Sequence, residues 1–326
     1  LFCGQGSQWP GMVGPLRSQP RVAATLERCR DWLSKRSDWC LLEELSGLEE
    51  GRLQRAERIM PCLFALQAGL VDLWRSWGVV PAAVVGHSAG EHAAAYAAGA
   101  LTLEEGLSSA YLRGLCLDQQ PPLGGMLATG LTRKQLDARL LGRPCFLAAE
   151  NAPQSMTVSG SEQALQELAQ ELEEEGIFWR RLQTRYAFHS PLCQPASQAL
   201  GRALEGTRGR SSQIPMASSV TGFFVSGEEL DARYWANNVL QPVLFGQALQ
   251  TLLKAGHRNF LEIGPHPVLA NYVVEAAGNL EVSTLPSLRR GDPDGRTLLT
   301  SLGQAFERGA EIDWSGVYPG DRPVVS

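Results

Sequence analysis

The chain has 326 residues, enough for one large domain and a smaller one, and its 44% hydrophobic and 19% charged content is that of a soluble globular protein. A net charge of -5 leaves no basic footprint for nucleic acid, and no apolar run approaches the roughly 20 residues of a membrane-spanning helix. The seven cysteines are scattered, with no Cys-x-x-Cys pair and no histidines at ligand spacing, which speaks against a zinc site or disulfide framework and for a reducing, cytoplasmic setting. Both ends, at Leu1-Phe2-Cys3 and at Val324-Val325-Ser326, are abrupt, as expected of one domain of a longer polypeptide.

In chain order, the end of a buried strand, Leu1-Phe2-Cys3, runs into the glycine-rich loop Gly4-Gln5-Gly6-Ser7-Gln8. It lacks Gly-Lys-Ser/Thr and the full Gly-x-Gly-x-x-Gly spacing, so it is neither a phosphate loop nor a dinucleotide fingerprint. It offers backbone N–H groups that approach a ligand closely. A helical region is expected over 20–45, and a buried helix over 61–77 carrying Leu63, Phe64, Leu66, Leu70 and Leu73 and stopped by Gly78.

A strand over 82–85 then leads into Gly86-His87-Ser88-Ala89-Gly90, followed at once by an alanine-rich helix over 93–98. Strand, tight turn and helix around Gly-x-Ser-x-Gly is the pattern of a nucleophile elbow, with Ser88 at the apex and free helix N–H groups beside it. Gly86 and Gly90 leave room for the turn and for close packing of strand on helix. Alone, the same motif also describes a plain strand–turn–helix junction with a capping serine.

A helix over 103–116 carries Arg113 among Leu107, Leu112 and Leu115, with neither Glu104 nor Glu105 at pairing distance along it. Two readings of Arg113 stand at this point: a surface arginine packing its stem, or a guanidinium fork aimed into a cleft to take a carboxylate. After the break at Pro121-Pro122-Leu123-Gly124-Gly125, strands are expected over 126–130, 146–150, 156–160 and 178–182. Helices are expected over 132–141, capped by Thr132, and over 161–176. That order is ferredoxin-like.

The chain leaves this insert through Tyr186-Ala187-Phe188-His189. Of the five histidines, His87 lies in the elbow, His92 on the helix behind it and His257 on a surface loop. That leaves His189 as the best base for Ser88, with His266 second. Further on, a helix is expected over 195–204, a strand ending in a turn over 218–222, and Tyr234-Trp235 followed by a helix within 234–253. A buried strand over 260–263 and a final helix to 308 complete the pattern.

In order, Gly4-Gln5-Gly6-Ser7-Gln8, Gly86-His87-Ser88-Ala89-Gly90, Arg113, Tyr186-Ala187-Phe188-His189 and Gly264-Pro265-His266-Pro267 resemble the motifs of the malonyl-transferase family, most closely the acyltransferase domains of modular polyketide synthases. The resemblance covers nearly the whole chain. It implies an α/β fold, an α/β-hydrolase-like large domain (1–123 and 188–310) with an inserted ferredoxin-like small domain (124–187) and a C-terminal linker segment (311–326). By resemblance, Ser88 is the nucleophile, His189 its general base oriented by a backbone carbonyl, Gln5 and Ala89 the oxyanion hole, and Arg113 the grip on a dicarboxylic acyl group. The implied reaction is ping-pong acyl transfer from acyl-coenzyme A through Ser88 to the phosphopantetheine thiol of an acyl carrier protein. No metal or redox cofactor is implied, and the further partners are neighbouring domains of a multidomain synthase.

The resemblance places acyl selection at Met60, His87, Tyr186 and Phe188. In the family His-Ala-Phe-His accompanies malonyl and Tyr-Ala-Ser-His methylmalonyl; Tyr186-Ala187-Phe188-His189 mixes the two. Phe188 is bulky where an α-substituent would point, Met60 stands where glutamine is usual, and Ala89 is smaller than the usual residue after the serine. Malonyl and an α-substituted malonyl unit both stand. The other readings of the chain are a serine hydrolase or thioesterase on the same elbow, which needs neither Arg113 nor the Gln5 loop, and a silent docking domain.

Overall fold

In the computed structural model, which describes residues 1–16, 18–47, 55–120, 124–292 and 294–318, the expected helical region over 20–45 is two helices, α1 (Pro20–Leu33) and α2 (Leu41–Ser46). Ser37 Oγ bonds the carbonyls of Leu33 and Trp39 at 3.0 and 3.2 Å, so the helix ends where a side chain competes for backbone acceptors. The expected break at Pro121-Pro122-Leu123 and positions 319–326 of the expected linker lie outside the described residues. Helix α3 (Ala56–Ser76) starts more than a turn earlier than the pattern over 61–77 predicts. Its first N–H groups, on Ala56 and Glu57, donate to the Asp118 carboxylate at 3.2 and 3.0 Å, a cap supplied from far along the chain. Strand β1 (Val84–Val85), α4 (Glu91–Ala97) and α5 (Leu103–Asp118) follow. Thr102 and Glu105 form a capping box at the start of α5. Sandwiched against α1 and α5, α3 is buried along most of its length.

The insert runs β2 (Gly125–Thr129), α6 (Arg133–Leu140), β3 (Cys145–Ala152), β4 (Ser155–Gly160), α7 (Glu162–Glu174) and β5 (Trp179–Arg181). Its sheet has the order β3-β4-β2-β5 with every neighbour antiparallel, the ferredoxin-like arrangement. Thr132 caps α6 and Ser161 caps α7, each accepting a backbone N–H three residues on. Leu127, Leu136, Val158, Leu165 and Leu168 form a separate core here. The strand alternation sends Met126 and Ala148 the other way, into the large core.

The chain continues with α8 (Gln194–Ala203), β6 (Met216–Ala217), β7 (Phe224–Val225), α9 (Ala232–Leu240), α10 (Phe245–Lys254), β8 (Asn259–Glu262), α11 (Ala270–Ala277), β9 (Ser283–Pro286) and α12 (Arg296–Glu307). The strand expected over 218–222 is a turn instead. Ser218 Oγ accepts the N–H groups of Val220 and Thr221, and Gly222 has a φ of +81°. In the main sheet β1 pairs parallel with β6, and β8 pairs parallel with β9. Phe2 joins the two pairs, bridging in parallel to Gly86 on one side and Ile263 on the other. The Gln67 amide on α3 ties the same strands together, donating to the carbonyls of Cys3 and Ile263 at 2.8 and 3.0 Å. Ser88 therefore follows the carboxyl end of a strand inside a parallel sheet, the place where open α/β sheets bind ligands. Six of the seven cysteines are buried.

Candidate active site

The elbow owes its shape to three positions. A Cβ on Gly86 would lie 2.3 Å from the Glu91 nitrogen, and one on Gly90 would lie 2.2 Å from the Phe2 carbonyl oxygen. Both are glycines because neighbouring backbone fills the space of a side chain. Ser88 itself takes the strained conformation, with φ 52°. The only other non-glycine residue with positive φ among the described residues is His189, at 58°. Backbone strain of this kind gathers at functional sites and persists only where packing enforces it.

Ser88 Oγ and His189 Nε2 are 2.8 Å apart, and His189 Nδ1 is 2.9 Å from the Gln241 carbonyl just beyond α9. A carbonyl only accepts, so Nδ1 carries the proton and Nε2 presents its lone pair to the serine hydroxyl. Burial pushes the His189 pKa down to about 3, helped by the positive Arg113 and by His87, so the imidazole is neutral at physiological pH. His266 is elsewhere: its Nδ1 accepts the Arg290 N–H. His92 is buried in a stack on Trp235, with ring centroids 4.3 Å apart.

Arg113 is not a surface arginine. It is 1% exposed, its Nη2 donates to Ser88 Oγ at 3.1 Å, and its Nη1 donates to Asn238 Oδ1. Its Nε has no partner, and among the described residues no carboxylate forms an ion pair with it. Glu104 and Glu105 pair instead with Arg28 and Arg210. Burial lowers the Arg113 pKa to about 10, with Glu91 acting the other way. A buried guanidinium without a counter-ion is costly.

The residues that hold this arginine belong to no sequence motif described above. Glu91, fully buried, accepts the Ser219 N–H at 2.5 Å, the Tyr234 hydroxyl at 2.8 Å and Asn238 Nδ2 at 2.7 Å. Burial raises its pKa while these donors oppose the rise. Asn238 also donates to the Ser88 carbonyl at 3.3 Å. The available signal was spacing: Asn238 lies one helical turn after the Tyr234-Trp235 pair, on the face it shares with Tyr234. Gln241 acts through its carbonyl, which leaves no side-chain signature.

A family profile described as acyl transferase domain matches residues 1–312. The chain belongs to that family. Polyketide synthase GfsB of Streptomyces halstedii is 40% identical over 332 residues, covering 99% of this chain and 6% of the relative. Erythronolide synthase EryA2 of Saccharopolyspora erythraea is 38% identical over 333 residues, covering 99% and 9%. The chain thus spans less than a tenth of the length of these relatives. The acyltransferase domain from module 8 of the salinomycin polyketide synthase superposes with a TM-score of 0.91 at 39% identity, over 97% of this chain and 76% of that one.

In this acyltransferase domain the Gln5 loop packs directly over the elbow. A Cβ on Gly4 would lie 2.7 Å from the His87 carbonyl oxygen and 3.6 Å from the Ala89 nitrogen. The N–H groups of Gln5 and Ala89 have no acceptor among the described residues. His87 Nε2 contacts Asn151 Oδ1 of the insert at 2.7 Å, and its ring meets Phe245 edge-on at 5.2 Å. Met60, Tyr186 and Phe188 all belong to the large core, with the rings of Tyr186 and Phe188 5.1 Å apart and Phe188 6.4 Å from His189. The Tyr186 hydroxyl donates to Asp118, the residue that caps α3. Its polar end is thereby engaged with the helix that carries Met60.

Proposed function

We propose that this domain loads a malonyl-type acyl unit from acyl-coenzyme A onto Ser88 and passes it to the phosphopantetheine thiol of an acyl carrier protein in polyketide synthesis. The observation that carries the reading is the buried Arg113, without a counter-ion among the described residues and 3.1 Å from Ser88 Oγ. A monocarboxylic acyl group gives that charge nothing; the distal carboxylate of a malonyl-type unit pairs with it in bidentate fashion. A hydrolase or a silent docking domain has no use for it.

In the first half-reaction His189 Nε2 takes the Ser88 proton as Oγ attacks the thioester carbonyl. The oxyanion forms beside the free N–H groups of Gln5 and Ala89. Coenzyme A leaves with the proton from His189, and the acyl ester remains on Ser88. In the second half the carrier thiol gives its proton to His189, attacks the ester, and Ser88 recovers its proton. Arg113 is the second cause of the low His189 pKa, so a carboxylate that offsets its charge makes His189 a stronger base once a dicarboxylic donor is in place.

The test is intact-protein mass spectrometry after exposure to malonyl-, methylmalonyl-, longer alkylmalonyl- and acetyl-coenzyme A. The mass added at Ser88 names the unit, and its loss on adding the pantetheinylated carrier protein shows the transfer. Equal loading by acetyl and malonyl donors overturns the dicarboxylic reading.

A further inference from the structure

Asn238 stands between two buried groups of opposite charge. On one side its Nδ2 donates to Glu91 Oε2 at 2.7 Å; on the other its Oδ1 accepts from Arg113 Nη1. A carboxylate only accepts and a guanidinium only donates, so one orientation of the amide satisfies both. Glu91 is itself fixed by the Ser219 N–H and by the Tyr234 hydroxyl, whose oxygen lies 2.7 Å from Ser218 Oγ. The chain Ser218–Tyr234–Glu91–Asn238–Arg113 ends 3.1 Å from Ser88 Oγ.

We propose that Glu91 is a positioning residue for acyl selection: it locks the Asn238 amide with its oxygen toward Arg113, which holds the guanidinium beside Ser88 while leaving its charge for the acyl carboxylate. The inference rests on the reading of Arg113 as the carboxylate site. An amide at 238 orients the guanidinium as a neutral acceptor, whereas a carboxylate there would satisfy the charge and compete with substrate. Glu91, one residue removed, imposes the orientation without making that ion pair.

Two variants separate this role from a merely structural one. In Glu91→Gln the side-chain oxygen is still needed by the Ser219 N–H, so the new amide nitrogen faces Asn238. Asn238 then turns its own NH2 toward Arg113 and pushes the guanidinium away. In the double variant Glu91→Gln with Asn238→Asp the bonds of residue 238 to residue 91 and to Arg113 are again paired and the net charge is unchanged, while the Ser88 carbonyl loses the Asn238 donor in both variants. The carboxylate, however, has moved onto Arg113. The readout is the ratio of kcat/KM for malonyl- over acetyl-coenzyme A, with KM and kcat resolved separately, and Arg113→Ala as reference.

Both variants are expected to lose at least tenfold of that ratio, mostly through KM for malonyl-coenzyme A. If Glu91→Gln fails to fold, the double variant, with its pairing from residue 91 through residue 238 to Arg113 restored, decides. A ratio lost in Arg113→Ala but kept in the Glu91 variants overturns the proposal alone. A ratio that Arg113→Ala does not move overturns the carboxylate reading, and the proposal with it.

Discussion

Ser88 and His189 meet at 2.8 Å through side chains whose backbones both occupy the left-handed region, at φ 52° and 58°. No other non-glycine residue among the described ones does so. The two residues sit 101 positions apart, so the tertiary structure holds both halves of the pair against a local preference for another conformation. Replacing Ser88 by alanine or by glycine is expected to abolish acyl labelling equally. Both lose the hydroxyl, so their difference in stability isolates the backbone. The glycine variant should be the more stable by about 1 kcal/mol, the left-handed penalty less the flexibility cost of glycine. Urea unfolding of the pair measures it, and an alanine variant as stable as the glycine one would show that Ser88 is unstrained.

The pH dependence of acylation should show the depressed pKa of His189. An imidazole at its usual 6.5 would be mostly protonated at pH 5.5 and cost about tenfold in kcat/KM. With the folded value near 3, the base stays neutral and kcat/KM for malonyl-coenzyme A should stay nearly level from pH 7.5 to 5.5. Stability moves the other way. Below about 6.5 the unfolded chain takes up a proton that the folded one refuses, so the thermal midpoint should fall as pH drops through 6.5. An acid limb centred near 6.5 in the rate profile would refute the assignment.

Arg113→Ala should cost dicarboxylic donors at least a hundredfold in kcat/KM, about 3 kcal/mol for a buried charged pair, while acetyl-coenzyme A loses far less. Arg113→Lys should recover little, because an ammonium cannot serve Asn238, Ser88 and a bidentate carboxylate together. Steady-state kinetics with both donors decides it. An equal loss for both donors would make Arg113 a residue of the fold.

Phe188→Ser should raise the use of α-substituted malonyl donors relative to malonyl by about tenfold, since the ring lies beside His189 and fills part of the large core. Competition between malonyl- and ethylmalonyl-coenzyme A, read by mass spectrometry, measures it. Tyr186→Phe should weaken α3 rather than change the donor, because the lost hydroxyl binds the capping Asp118. No shift in donor preference for Phe188→Ser would remove Phe188 from the specificity set.

The sequence by itself determined what is local. The elbow, the insert's order of strands and helices and the Thr132 cap follow from short-range spacing and turn chemistry, and His189 rather than His266 as the neighbour of Ser88 follows from elimination among five histidines. Such signals are written in consecutive residues. It left Arg113 open between surface and cleft, merged α1 with α2, and started α3 too late, since the Asp118 cap comes from more than 60 residues away. It passed over Glu91 and Asn238 altogether, and it left unnamed the carbonyl, that of Gln241, which meets His189. Only the tertiary structure decided these, because burial without a counter-ion, the direction of an amide and the reach of a carbonyl arise when distant segments close on one another, and none of them has a period or a motif along the chain.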